Sequence, residues 1–348
     1  MIREFIAKAA SRQNLSVEEA EAAMNEVMSG LATPAQIAGY LTALKVKGET
    51  CEEITGSARA MRSKAVKVKT KHPTVIDTCG TGGDGARTFN ISTAAAFVLA
   101  GGGVPVAKHG NRSVSSMSGS ADVLEALGIN INLSPEQVGL CMDETGFGFL
   151  FAPHLHTAMK HAIGPRRELG IPTIFNILGP LTNPASAQCQ VVGVFSEGLV
   201  ETIARVLANL GVRSALVVHG LDGLDEISIS AGTRVAHLAD GNIRSYYIEP
   251  EDFDLPRASL DDVRGGTPSE NAAIIMDVLG GARGPRRDIV LLNAAAAFVA
   301  AGAARDIGEG IGLAREAIDS GRAMEKVEEV RRFTGRFASA ACAPTLRG

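Results

Sequence analysis

The sequence predicts an α/β fold, with a small N-terminal helical domain ahead of a larger domain whose mixed, mainly parallel sheet is flanked by helices. Three observations carry this. Helix-capping signatures crowd the first stretch of chain, short apolar runs alternate with helical periods from Val75 onward, and polar or glycine-rich loops follow those runs at their carboxyl ends. The 348 residues, 45% of them apolar, are enough for two domains with a proper core.

Ser16 with Glu19, Thr33-Pro34 with Gln36, and Thr50 with Glu53 each set a hydroxyl cap three residues before an acid or amide, which divides residues 1–70 into four short helices. Ile2, Phe5 and Ile6, like Met24, Val27 and Met28, recur at helical spacing, and so small a bundle needs a partner surface, so a homodimer is expected. Strands are expected at Val75-Ile76, Val104–Val106, Phe147–Phe151, Gln190–Phe195 and Ser214–His219. Helices near 92–101, 120–127, 135–145 and 197–210 alternate with them, in the order of a parallel sheet. Residues 232–248, around Asp240-Gly241, read as a hairpin that makes the sheet mixed. The division falls between a helical domain at 1–72 and an α/β domain at 73–348. Between Pro153 and Pro184 the alternation stops: a helix from His156 to Leu169 precedes Pro172, Pro180 and Pro184, too many prolines for a sheet strand. Part of 156–186 is therefore expected to join the helical domain and line a cleft between the two. Helices resume from Pro268 to the end.

Net charge of −4, no Trp and 4% aromatic residues leave neither the basic field nor the stacking surface of a nucleic-acid binder. Cys51, Cys79, Cys141, Cys189 and Cys342 form no C-x-x-C, against a disulfide framework or zinc site and in favour of a reducing cytoplasm. Glu4 near the start, with no apolar run behind it, does not make a signal peptide. The runs at Ala94–Ala100 and Ala294–Ala304 are too short to span a membrane.

The stretch from Asp77 to Gly85 has glycine at 80, 82, 83 and 85, so backbone N–H groups can converge on phosphate oxygens ahead of the helix that starts near Asn90. The spacing also fits a dinucleotide motif, but no carboxylate follows until Asp122, and no Gly-Lys-Ser/Thr closes a P-loop. Asp84 within the loop would repel a bare phosphate unless a divalent cation lies between them, so magnesium is expected. A second cluster, Lys108 to Ser120, also follows a strand and precedes a helix; its cations, amide and hydroxyls suit a polyanion, against the alternative of a solvated serine-rich loop. In the third, Gly220 to Glu226, adjacent Asp225 and Glu226 suit Mg²⁺ with Asp84 and Ser92 opposite. His154 and His156 lack metal-motif spacing and read as pocket or core residues. Arg166-Arg167 is either a surface pair or, near the cleft, a carboxylate clamp. With no nucleophile beside a base, the machinery is electrostatic, suited to a pyrophosphate leaving as positive charge builds on a sugar carbon.

Gly80-Thr81-Gly82-Gly83-Asp84, Asn90-Ile91-Ser92-Thr93, Lys108-His109-Gly110-Asn111 with Ser116 and Ser120, the run from Phe175 to Pro184, and Asp225-Glu226 together resemble the anthranilate phosphoribosyltransferases, in order and over essentially the whole chain. The resemblance implies transfer of the phosphoribosyl group from phosphoribosyl pyrophosphate (PRPP) to the amine of anthranilate, the second step of tryptophan biosynthesis from chorismate. It implies a homodimer through the helical part and Mg²⁺, two ions per site, on Ser92, Asp225 and Glu226. PRPP would lie on Gly80, Gly83, Asp84, Thr88, Asn90, Ile91, Ser92, Thr93, Lys108, His109, Gly110, Asn111, Arg112, Ser113, Val114, Ser115, Ser116 and Ser120. Gly80, Asn111, His156, Arg166, Gly179 and Pro180 would form the anthranilate side. Members often carry two adjacent histidines where this chain has Leu155-His156, so only the second is kept. Pyrimidine nucleoside phosphorylases look similar in fold and around Lys108 to Ser120, but the Phe175 to Pro184 run resembles the anthranilate enzymes. A nucleic-acid-binding relative of the fold would need a basic surface that this chain lacks.

Overall fold

All three capping signatures close into reciprocal boxes. Each hydroxyl satisfies an orphan N–H three residues on and the acid or amide reaches back, so α2 (Val17–Met28), α3 (Pro34–Lys47) and α4 (Cys51–Lys64) begin directly after Ser16, Thr33 and Thr50 and follow the uncapped α1 (Ile2–Ala10). The computed structural model describes residues 1–113 and 117–338. Val114, Ser115, Ser116 and Cys342 lie outside the described residues. Glu53 also locks the bundle. Its wholly buried carboxylate accepts from the N–H groups of Leu15 and Thr50 and from Lys47 Nζ, each at 2.9 Å, so the charge is paired rather than stranded.

The α/β order follows: β1 (Ile76–Gly80), α5 (Ile91–Gly101), β2 (Val106–Gly110), α6 (Ser120–Ala126), α7 (Pro135–Thr145) and β3 (Phe147–Phe151). The proline-rich excursion holds α8 (Ala152–Leu155), α9 (Lys160–Leu169) and α10 (Phe175–Leu178). Then come β4 (Cys189–Gly193), α11 (Leu199–Asn209), β5 (Ser214–Gly220), β6 (Thr233–Ala239) and β7 (Asn242–Ile248). The chain closes with α12 (Pro268–Leu279), α13 (Pro285–Ala300), α14 (Ile307–Asp319) and α15 (Arg322–Gly335). The sheet runs β3-β2-β1-β4-β5-β6-β7, parallel from β3 to β5, with β6 and β7 antiparallel at one edge. Strand order reverses between β1 and β4, and the crevice beyond the carboxyl ends of such strands is where ligands bind in open α/β sheets.

Two expectations about boundaries change. Asp77 to Gly80 and Lys108 to Gly110, read from sequence as loop, are strand. Asp77 is wholly buried and accepts from His109 N–H at 3.1 Å and Asn183 Nδ2 at 2.8 Å, while the Lys108 ammonium, also buried, donates to Thr78 O at 2.6 Å. Polar side chains with such partners tolerate a sheet interior. The helix expected from His156 starts instead at Lys160, because His156 takes a non-helical conformation (φ −116°, ψ 55°) and a single 3₁₀ turn intervenes.

One apolar cluster lies between the sheet and α5, α13 and α14; another joins α1–α4, α11 and Ile174 to Leu181 with Val192, Val194 and Val217 on the opposite sheet face. α9 packs on α2 and α3, and Gly30 leaves room there for the His161 ring. Among the described residues no helix is long and apolar enough to cross a membrane.

Candidate active site

Gly80 and Gly193 are register partners on β1 and β4, and a Cβ on either would collide with Asp225. The pair of bare backbones opens a slot, and the loop after β5 drops Asp225 into it. Asp225 Oδ2 then accepts from Gly82 N–H at 2.7 Å, a geometry that needs the left-handed φ of Gly82 (+66°) and Gly83 (+82°). Glu226 Oε1 accepts from Ser92 N–H at 3.2 Å, at the N-terminal turn of α5. Two distant loops are thus stitched by carboxylate-to-backbone bonds beneath the glycine loop.

Both carboxylates touch the cleft yet stand deep among protein atoms. Burial, then the neighbouring charge of Asp84, raises the Asp225 carboxyl well above the ordinary range; burial, then Asp225, raises Glu226, with the Lys108 ammonium opposing. Asp84 itself accepts from Ala86 N–H at 3.3 Å. Three carboxylates against one buried ammonium leave a local excess of negative charge that a divalent cation would neutralise. Among the described residues no group of three or more His, Cys, Asp or Glu forms a ready metal cage, so such a cation would take further ligands from water and substrate.

The acid pair is held from behind by residues to which sequence reasoning gave no role. Asn293 on α13 brackets the next residue, accepting from Ile227 N–H at 2.9 Å and donating to Ile227 O at 3.0 Å. Asp222 accepts from Ser228 Oγ at 2.5 Å and from Ser230 Oγ. Asn293 had a readable signal, since a lone amide inside an apolar helix must find buried partners; Asp222 had none.

The second loop adjoins the first through Asn90, whose Nδ2 donates to Ser118 O at 3.1 Å while its Oδ1 accepts from Asn271 Nδ2 at 2.9 Å. Thr88 bridges to Arg264 beside it. Asn111 is exposed, Ser120 Oγ lies 3.4 Å from Asn111 O, and a Cβ at Gly110 would strike that hydroxyl. Ser113 N–H donates to Asp122 at 3.1 Å. Several residues assigned to PRPP by resemblance do not present free side chains to the glycine loop. Arg112 is taken by Asp122 (2.9 Å) and Glu125 (2.6 Å) on α6. Ile91 packs into the core, and its N–H is used by Phe89 O at 2.8 Å. Thr93 is buried too. Lys108 lies below the loop, reaching it only through Ser92 Oγ at 3.3 Å.

His109 donates from Nδ1 to Gly179 O at 3.2 Å, the carbonyl fixing that tautomer. Its ring centroid is 5.0 Å from that of buried His156. Burial pulls both imidazoles down, His109 to about 3 and His156 to about 4, so both are neutral near pH 7. Arg166, on α9, sits with its guanidinium carbon 5.0 Å over the Phe175 ring; it is half-buried and pairs with no carboxylate among the described residues. His154, read as a pocket or core residue, is exposed and sits edge-on to Phe151, with ring centroids 5.0 Å apart. Leu155 is core. The arrangement offers a crowded carboxylate group beside a glycine loop on one side, and on the other an arginine over Phe175 with no carboxylate partner among the described residues.

Residues 72–324 match the a/b domain of a glycosyl transferase family, and residues 3–65 match that family's helical bundle domain. The anthranilate phosphoribosyltransferase of Symbiobacterium thermophilum is 57% identical over 336 residues, 97% of this chain and 98% of that protein. The chain belongs to the anthranilate phosphoribosyltransferase family. The family fold is shared closely: the Thermus thermophilus member, known from a crystal structure, superposes with a TM-score of 0.91 at 45% identity, over 95% of this chain and 99% of its own. The Saccharomyces cerevisiae member in complex with PRPP and Mg gives 0.88 at 32% identity, over 96% and 98%. The same yeast anthranilate phosphoribosyltransferase with 4-fluoroanthranilate gives 0.86 at 31% identity, over 96% and 98%.

Proposed function

We propose that this chain transfers the phosphoribosyl group of PRPP to the amine of anthranilate, yielding N-(5-phosphoribosyl)anthranilate and pyrophosphate in tryptophan biosynthesis. The observation that carries the reading is the division of the cleft: Asp84, Asp225 and Glu226 under a glycine loop at the sheet's switch point, and Arg166, with no carboxylate partner among the described residues, over Phe175 at the start of the helix that runs into Gly179-Pro180. The yeast relative's complexes with PRPP, Mg and 4-fluoroanthranilate support it.

PRPP rests on the loops after β1 and β2, where the N–H groups of the glycine loop beyond Gly82 meet phosphate oxygens. Asp225, Glu226 and Ser92 hold magnesium, two ions in this reading, which when bound offsets the charge of the departing pyrophosphate. Arg166 clamps the anthranilate carboxylate, Gly179-Pro180 walls the ring with His156 behind, and Asn111 bonds the amine. The amine nitrogen bonds to the anomeric carbon as the carbon–oxygen bond breaks. Its electron pair leaves with pyrophosphate, and the amine proton passes to water or pyrophosphate.

Pyrophosphate release from PRPP measured with and without anthranilate tests the reading: release that requires anthranilate supports it, and phosphate-dependent nucleoside cleavage instead overturns it. Arg166→Ala removes a charge-assisted contact worth about 1.5–3 kcal/mol, so the anthranilate KM rises by roughly one to two orders of magnitude while the PRPP KM moves little. Collapse of PRPP affinity with anthranilate affinity intact would return Arg166 to the phosphate side.

The helical unit 1–72, with part of 156–186 packed on it, carries Arg166 and forms a homodimer. The motive is an apolar groove of about 470 Å³ between α1 and α3, lined by Ala9, Ala10, Ala38, Gly39, Ala43 and exposed Val46. Sedimentation at micromolar concentration should give the dimer mass; a monomer refutes it. The four free cysteines among the described residues, three of them buried, accord with work in the reducing cytoplasm.

A further inference from the structure

Three consecutive carbonyls of the Gly179–Leu181 turn are each gripped by a side chain from a different element. Gly179 O accepts from His109 Nδ1 on β2 at 3.2 Å, Pro180 O from Gln190 Nε2 on β4 at 2.8 Å, and Leu181 O from Arg62 Nε on α4 at 2.6 Å. Gln190 is wholly buried and His109 nearly so. Arg62 is mostly sequestered and, among the described residues, has no carboxylate partner; its second bond goes to Leu210 O at 3.1 Å, beyond the end of α11. An arginine that burial strips of water and that meets only carbonyls gains no ion pair in return, and Gln190 leaves its own Oε1 without a partner. Each donor satisfies a carbonyl of the turn that would otherwise be stranded, and each reaches it from another element of the fold.

They fix the orientation of the turn. Proline at 180 lacks an N–H and glycine at 179 lacks a side chain, and a Cβ at Gly179 would meet nothing within 4 Å, so that side of the turn is open. A flat ring resting on it would be oriented by the peptide planes of 179–181, and those planes are set by the three donors. Two donors come from the sheet that carries the phosphate loops and one from the helical bundle on which the Arg166 helix packs, so the turn is registered to both sides of the cleft.

The geometry points to Arg62 and Gln190 as positioning residues for the acceptor: they set the wall that aims the anthranilate amine at the sugar carbon without touching either substrate. The inference rests on the acceptor reading of Gly179-Pro180. Gln190→Leu frees Pro180 O, Arg62→Met frees Leu181 O together with Leu210 O, and Arg62→Lys restores a donor and the charge. The expected result is a rise in anthranilate KM of roughly tenfold for Gln190→Leu and Arg62→Met, with the PRPP KM and the PRPP Kd by calorimetry held within about twofold. Arg62→Lys should recover most of the loss. If Arg62→Met melts too low to assay, Gln190→Leu and Arg62→Lys carry the same comparison. A lowered melting temperature with an unchanged anthranilate KM, or a parallel rise in both KM values, overturns the positioning role. Failure of the wild-type protein to release pyrophosphate when anthranilate is added overturns the acceptor reading instead, so the two failures are told apart.

Discussion

Asp225→Asn with Glu226→Gln should remove most turnover and, at the same time, make the free protein harder to melt. The first half follows from the role proposed for the pair: losing a cation site that offsets charge on a departing pyrophosphate costs several kcal/mol, which is roughly 10²–10⁴ in kcat. The second half follows from their surroundings. Both carboxyls are raised, first by burial and then by neighbouring acids, so between the ordinary carboxylate range and their raised values the folded state binds more protons than the unfolded one. Stability contributed by these groups is therefore full below about pH 4 and falls as pH rises through the folded-state values. The neutral pair escapes that loss, and its amide oxygens can still accept from Gly82 and Ser92 N–H. In magnesium-free buffer the variant should melt higher than the parent by roughly 2 °C or more at pH 7.5 and show no advantage at pH 4. Unchanged kcat, or a melting difference that ignores pH, would sink the assignment.

Gly193→Ala is the second large effect. The added methyl would overlap the main chain of Asp225, and β4 lies between β1 and β5 with no freedom to step aside. Overpacking of this kind costs about 1–3 kcal/mol, and an Asp225 pushed out by even 1 Å should reduce kcat by roughly 10². Gly312→Ala in α14 is the matched control, because a Cβ there meets nothing within 4 Å and alanine suits a helix better. Melting temperature and kcat measured side by side should fall together for Gly193→Ala and hold for Gly312→Ala. Normal turnover in Gly193→Ala would mean that the slot is not needed.

What the sequence revealed was governed by distance along the chain. The capping boxes at Ser16, Thr33 and Thr50 span three residues, and all of them form. The convergence of Asp225-Glu226 on the glycine loop was legible because loops at the carboxyl ends of parallel strands share one edge. Asp77 and Lys108 were misread as loop because the partner that makes Asp77 tolerable, Asn183, is 106 positions away. Arg112 looked like a phosphate ligand by composition, and only the turn of α6 brings Asp122 and Glu125 to it. Arg62 drew no expectation from sequence, because its partner Leu181 O is 119 positions away. His154 and His156 are two residues apart, yet one is exposed and the other buried, because the non-helical backbone at His156 breaks the periodicity.

The neutral histidine pair has a consequence for how the reaction responds to acidity. With His109 held to about 3 and His156 to about 4, neither imidazole gains a proton between about pH 5 and 8, and the Arg166 guanidinium stays charged throughout. In the reading proposed above, neither imidazole then alters the charge that an acceptor on this side meets over the range in which a cell's pH drifts. The crowded carboxylates of the opposite wall, Asp225 raised to about 7 and Glu226 to about 8, do change charge there, so in that reading acid sensitivity is expected from the half that handles phosphate.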